Sequence, residues 1–255
     1  MSKNRDAVPV LMYHKVGLPV HSRPDRFLNV SAPDFQRQMR VMTQLGYQAR
    51  SFADVIEAQI CGKSLPRRTF AVTFDDGYDC IGEFAAPILN AFRIPATVFV
   101  VPRGVGRTNE WDSATGRAVI PIMDWEMLDK LRQEGWEIGG HTLTHPHLDT
   151  LEDAPALHDI MEGKREIEAH IGQPISTFCY PFGHYNKRTP ELVRQAGFAG
   201  ACTTHTGLVR PGGNPLLTPR IKIAYRDGIF GMLYRMLVRP DLPDFRPKRR
   251  DAVHS

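Results

Sequence analysis

Short apolar runs alternate with amphipathic stretches along nearly the whole chain. The runs are Val8 to Tyr13, Tyr47 to Arg50, Thr69 to Phe74, Ala96 to Val101, Trp136 to Gly139, Thr177 to Tyr180, Phe198 to Thr203 and Ile221 to Ala224. They are rich in β-branched and aromatic residues, as buried strands are. Between several of them lie helical patterns with readable ends. Ser31 caps a helix with Pro33 and Asp34 in its first turn and Phe35, Met39 and Met42 on one face, stopped at Gly46. A second pattern starts at Ser51 and ends near Gly62. A third, striped by Trp125, Leu128 and Leu131, stops at Gly135, and a fourth, marked by Leu192, Val193 and Ala196, stops at Gly197. Strand, helix and glycine stop recur, which predicts βα units around a parallel sheet.

The chain has 255 residues, enough for one α/β barrel. No fixed-period repeat marks a solenoid. Two long non-periodic stretches, Pro102 to Pro121 and His205 to Pro219, follow predicted strands and are expected to wall a substrate site. The formal charge of +4 is small and spread along the chain, so nucleic acid is not an expected partner. The basic run Arg246 to Arg250 reads as part of a solvated tail, residues 241–255, after a domain spanning 1–240. The four cysteines show no zinc-knuckle spacing, and no export signal or apolar run of membrane-spanning length is visible. These features predict thiols without disulfides and a cytoplasmic protein.

Chemistry concentrates in two places. Asp75 and Asp76 end an apolar strand and enter a turn at Gly77. Adjacent carboxylates resist ionising together unless a cation or a shared proton intervenes, although an Asp pair also caps helices. His141 and His145 follow another strand at a spacing that puts both on one face of a helical turn. An isolated pair of this kind is common on surfaces. Joined to an aspartate, it makes a hydrolytic metal site with positions left for water and substrate.

These two motifs, with Leu11-Met12-Tyr13-His14 before them and Tyr180-Pro181-Phe182-Gly183 after, resemble the polysaccharide deacetylase family, also called the NodB-homology domain or carbohydrate esterase family 4. The Tyr-His pair resembles one subgroup of it. The resemblance implies a distorted (β/α) barrel of about seven or eight strands and hydrolysis of acetyl groups on N-acetylated sugars. It implies Asp75 as general base, Asp76, His141 and His145 as ligands of one divalent metal ion, and the Phe182 N–H as oxyanion donor. Zinc is the expected ion, with cobalt, nickel or manganese able to serve.

Two positions depart from the family pattern. Cys179 stands where an arginine is often found, and the strand from Ile221 to Ile223 lacks the histidine that commonly supplies the general acid. His14 is the candidate for that role, with an imidazole expected to titrate in the working range, although a strand-end histidine is also a structural feature. Rival readings are an amidohydrolase of small cyclic amides or imides and a non-catalytic sugar-binding module. His147, His184 and His205 read as rim or solvated residues, and Trp111 with Arg103, Arg107 and Arg117 as either sugar contacts or a solvated loop. Finally, Gly228 to Leu237 carries Ile229, Phe230, Leu233 and Leu237 on a helical stripe near Arg235 and Arg239. The stripe predicts packing on the barrel or, with the tail to residue 255, peripheral membrane contact.

Overall fold

In the computed structural model, residues 6–20, 22, 24–225, 227–238 and 240 are described. The proposed tail, 241–255, lies outside them. The core strands are β1 (Val10–Tyr13), β4 (Gln48–Arg50), β5 (Thr69–Phe74), β6 (Thr97–Val100), β7 (Glu137–Gly140), β8 (Thr177–Cys179), β9 (Gly200–Thr206) and β10 (Thr218–Lys222). All pair in parallel, in the order β1-β10-β9-β8-β7-β6-β5, and a further β1–β5 pairing closes seven strands into a barrel. The eighth, β4, shares an edge of β5 with β6: Thr69 to Ala71 pair with β4, and Thr73 and Phe74 with β6. Each expected strand is present. A short parallel pair, β2 (Lys15–Val16) and β3 (Asn29–Val30), adds a flap that the apolar pattern does not show.

The helices between these strands are α1 (Ala32–Gln44), α2 (Phe52–Ile60), α3 (Ala86–Phe92), α4 (Trp125–Gln133), α5 (Asp153–Ile171) and α6 (Thr189–Gln195). Ser31 caps α1 through the Asp34 N–H, and Ser51 forms a capping box with Asp54 on α2. The helix α5, which the apolar pattern did not predict, buries Ala156, Ile160, Gly163, Ile167 and Ile171. At the foot of the barrel Glu137 accepts from Thr97, Thr177 and the Ala53 N–H, tying the start of α2 to β6, β7 and β8. Burial lifts the Glu137 carboxyl above its usual pKa although all three donors oppose this.

One of the two long connections is not a site wall throughout. The chain from His205 to Pro219 descends to the opposite end of the barrel, where Val209 bridges Val8 and the Arg210 carbonyl accepts from Gln59. The reason is topological: β10 starts at the foot, and between β9 and β10 there is no α-helix, only a 3₁₀ turn at Pro215–Leu217, to carry the chain back. The other stretch, Pro102 to Pro121, is folded into short 3₁₀ turns and pinned by the bridges Thr108–Pro121 and Tyr78–Ile122.

At the C-terminal end, α7 (Gly228–Leu233) runs into a wider turn over Tyr234–Val238. Its fully buried residues are Met232 and Met236; of the stripe expected from the sequence, Leu233 is partly buried against the core, while Phe230 and Leu237 are exposed. Phe230, at 89% exposure, points outward with Tyr234, Leu237 and Val238. Among the described residues no helix is long and apolar enough to cross a membrane.

Candidate active site

The site forms at the mouth of the barrel, where β1, β5, β7, β8 and β10 end. Asp75 remains on the strand ladder, its N–H bonded to the Tyr13 carbonyl at 3.1 Å. Strand parity places it with Thr73, facing the barrel interior. Asp76 would then face outward, but its backbone turns left-handed, with φ 73°, and Gly77 follows at φ 75°. That break swings the second carboxylate back over the mouth, so both acids serve one site.

The two histidines converge by the same device. They do not share a helical turn as the spacing suggested. Thr142 and His145 both adopt positive φ, 65° and 62°, and fold the segment into a tight bend closed by a hydrogen bond from the His145 N–H to Thr142 Oγ1. Among the described residues six non-glycine positions have positive φ, and Asp76, Thr142, His145 and Phe182 are four of them. Such backbone costs of order 1–3 kcal/mol per residue and persists only where surrounding contacts impose it. Here α5 imposes it. The Asp159 carboxylate accepts from the N–H groups of Leu143 and Thr144 at 2.9 and 3.1 Å and from Thr144 Oγ1 at 2.7 Å. Gly163 lets the helix backbone approach so closely that a Cβ there would lie 2.6 Å from the Thr142 carbonyl carbon.

His141 Nε2 and His145 Nε2 lie 3.2 and 3.3 Å from the same oxygen, Asp76 Oδ1, and all three residues are buried. His141 Nδ1 faces the Cys179 carbonyl at 2.6 Å, an acceptor that fixes its proton there. Neutral His141 therefore turns a bare Nε2 lone pair toward a carboxylate oxygen. Only an imidazolium or an intervening cation relieves that opposition. Buried His145 Nδ1 has no hydrogen-bond partner among the described residues. Two nitrogens and one carboxylate suit a divalent ion of the zinc type, and the Cys179 carbonyl orients one ligand from behind. Burial disfavours charge on both histidines. For His141 the Cys179 and Asp76 groups outweigh it and raise the pKa well above the usual value, whereas His145 stays below it. Burial also opposes the Asp76 anion, but the two histidines hold its carboxyl well below the usual range.

Trp111 stacks on the His145 ring, centroids 4.9 Å apart, and so walls the ligand cluster. Arg117 from the same loop pairs with Asp112, which also accepts from Tyr78. Phe182, at φ 58°, contacts the His145 ring edge to face at 4.5 Å.

Asp75 is held by a residue that no sequence motif marked. Arg220, on β10 and fully buried, donates from both terminal nitrogens to the two Asp75 oxygens at 2.6 and 2.7 Å. It also donates to Thr73 Oγ1, to the Thr203 carbonyl and to Cys179 Sγ. Cys179, standing where the family often has arginine, thus touches an arginine supplied from another strand. Burial pushes the Asp75 carboxyl up, but the guanidinium overcomes this and leaves it below the usual aspartate value. His14 Nε2 lies 3.6 Å from Asp75 Oδ2. The expectation that His14 titrates near neutrality is corrected: burial lowers it to about 4 against the pull of Asp75 and Asp76.

A sequence model described as polysaccharide deacetylase matches residues 62–201, more than half of the chain and including both Asp and His motifs. The chain belongs to the polysaccharide deacetylase family. Within this family it is similar to YxkH of Bacillus subtilis strain 168, 24% identical over 200 residues, 78% of this chain and 65% of that one. It is also similar to the poly-β-1,6-N-acetyl-D-glucosamine N-deacetylase of Staphylococcus aureus strain MRSA252, 23% identical over 205 residues, 77% of this chain and 68% of the relative. The chain thus spans about two thirds of the length of these curated relatives. In three dimensions this deacetylase-family barrel is similar to Streptococcus pyogenes deacetylase PplD in complex with acetate, with a TM-score of 0.77 and 24% identity over 90% of this chain and 98% of the other.

Proposed function

We propose that this chain is a metal-dependent hydrolase, zinc its expected ion, that removes the acetyl group from an N-acetylated hexosamine in a glycan or glycan precursor. The observation that carries the reading is the convergence of two histidine nitrogens on Asp76 Oδ1 beside a second, arginine-held carboxylate. The Staphylococcus aureus relative, named for a poly-N-acetylglucosamine substrate, supports the sugar class.

Asp76, His141 and His145 would hold a divalent ion, which would supply an electrophile for the acetamide carbonyl and acidity for the attacking water. Asp75, kept ionised by Arg220, accepts the proton of that water. His14 is neutral near pH 7 and so begins without the proton it must deliver. Its Nε2 takes that proton from the adjacent Asp75 and passes it to the departing amine. The balance closes: one C–N bond breaks, the water oxygen ends in acetic acid, one water proton moves to the amine, and the second stays on the acid until it ionises to acetate. In this reading the Phe182 N–H steadies the carbonyl oxygen as charge builds on it.

The test is release of free amine from N-acetylglucosamine oligomers by the zinc-loaded protein. Asp75→Asn should keep its metal and lose roughly 10²-fold or more in turnover. Full activity in that variant, or turnover of cyclic imides alone, would overturn the reading.

The outward face of α7 supports a further element of the proposal, peripheral contact with an anionic membrane that presents a lipid-linked precursor. Phe230, Leu237 and Val238 are exposed together, an unusual apolar surface for a short helix. Flotation with anionic vesicles should capture the full chain and lose it after Phe230→Asp with Leu237→Asp; equal capture of both retires the idea. For location we propose the cytoplasm, since all four cysteines are free thiols, the form a reducing compartment maintains. Recovery of the protein from the cell exterior would contradict this.

A further inference from the structure

The segment beyond the ligand histidines and the turn that carries Phe182 meet a second time, closer to solvent. His147 lies two residues past His145, and its ring is flat against Phe182, with centroids 4.1 Å apart and 10° between planes. Its Nδ1 is 3.2 Å from Nδ1 of His184. Asp149 completes the group, with Oδ1 4.0 Å from His184 Nδ1. That oxygen is buried and accepts no hydrogen bond among the described residues. The three ligand atoms all lie within 4.8 Å of one another.

The spacing decides between two accounts. One imidazole could donate its proton to the other, which satisfies the nitrogens but leaves Asp149 Oδ1 desolvated without a donor, an unfavourable state for a carboxylate oxygen. Two ligands bound to one ion at about 2.0–2.1 Å each stand a little over 3 Å apart. The nitrogens already have that separation, and the carboxylate oxygen lies 4.0 Å from His184 Nδ1 and within 4.8 Å of both nitrogens. A cation at the centre would satisfy all three atoms together.

The geometry points to a second metal site, formed by His147, Asp149 and His184 at the rim of the active-site mouth. Its donors, two imidazoles and one carboxylate, select a borderline transition ion such as zinc, nickel or copper over magnesium or calcium. Two ligands come from the loop after β7 and one from the turn after β8, so an ion there cross-links the segments that carry His145 and Phe182. Through His147 the ion would also hold the Phe182 ring, and with it the strained turn, in place.

The test uses the full chain, stripped with a chelator and dialysed against graded zinc, with bound metal read by elemental analysis. The wild type should take up two ions per chain. His184→Ala should take up one, Asp149→Asn should weaken the second ion by tenfold or more, and His184→Cys, which restores a ligand, should recover it where a folding defect could not. His145→Ala should still bind one ion at the rim. The count does not depend on activity, so it separates this site from the deacetylase proposal: a single ion lost only in His184→Ala would spare the rim site and undercut the catalytic one. Uptake of one ion by the wild type that His184→Ala leaves unchanged, or two ions by His184→Ala, would overturn the rim site.

Discussion

The two halves of the site are built in opposite ways. Thr73, Asp75, Cys179 and Arg220 stand on or at the end of strands, inside the barrel, with Asp75 and the arginine fully paired. Asp76, His145 and Phe182 stand on loops whose backbone is left-handed at each of those residues. The first half needs no strain, because strand parity already points its side chains inward. The second half needs side chains aimed at one point from three different loops, and no regular element delivers that. A base wants a fixed, satisfied environment, while a ligand cluster wants donors held close together before the ion arrives. The contrast shows where each is stored: in ion pairing for Asp75, the proposed base, and in left-handed backbone for the proposed ligands, backed by α5 in the segment that carries the histidines.

The largest effect should come from breaking the first half at Arg220. Arg220→Ala would leave the buried Asp75 carboxylate without its counter-charge, and breaking a buried pair this way costs roughly 3–5 kcal/mol. The same change lets the Asp75 carboxyl rise, because the guanidinium is the main group opposing the effect of burial. In denaturant melts the variant should lose that stability. In kcat/KM profiles its acidic limb should move to higher pH, while metal content stays that of the wild type. A profile unmoved in pH would mean that Arg220 is structural and does not set the base.

A smaller effect should follow from loosening the second half through α5. Gly163→Ala puts a methyl group 2.6 Å from the backbone of Thr142, where nothing flexible can yield. Overpacking of this kind costs roughly 1–3 kcal/mol, partly offset by the better helix propensity of alanine. The displaced segment is the one that carries His141 and His145. Zinc affinity should therefore fall at least tenfold, a loss that a purely global destabilisation would not produce in protein that remains folded. Wild-type zinc affinity in the folded variant would show that α5 packs on the loop without shaping it.

The same division explains what the sequence disclosed. Strands with β-branched runs were readable because burial on both faces writes itself as continuous apolar residues, and seven of them close the barrel. Motif order pointed to Asp76, His141 and His145, which the fold brings together. The bend that unites the histidines was not, since left-handed φ at Thr142 and His145 arises from contacts with Asp159 and Gly163 on a helix further along the chain. That helix is hard to see because its buried positions are few, two of them the small Ala156 and Gly163, within a charged sequence. Arg220 is hidden because the apolar run begins one residue later, at Ile221. A signal existed: with Cys179 in place of arginine, Asp75 lacked a cation, and one had to come from another strand. Burial, which sequence does not state, also reversed the expected ionisation of His14.

The smallest effect on stability concerns His14, and it joins the two halves because this residue lies 3.6 Å from the strand-held Asp75, beside the cluster of Asp76, His141 and His145. Its folded pKa of about 4 lies below the 6.5 of an unperturbed histidine. The folded state therefore favours the neutral ring, and the stability this contributes is present above pH 6.5 and is lost as pH falls toward 4. Between pH 7 and pH 5 the wild type should lose roughly 1–2 kcal/mol on this account. His14→Gln has no ring to titrate and should lose correspondingly less across the same interval. Measured on chelator-stripped protein, the difference between the two melting series isolates His14 from Asp76, His141 and His145. The same pKa governs the chemistry. An acid protonated from the start would weaken turnover as pH rises through the histidine range, whereas a ring that receives its proton from Asp75 imposes no such limb. His14→Ala should accordingly lose roughly 10² to 10⁴ in turnover on an acetamide, and less on an activated ester whose leaving group needs no proton. Equal losses on both substrates would make His14 a positioning residue, and parallel melting curves for wild type and His14→Gln would show that its ring is not held neutral by the fold.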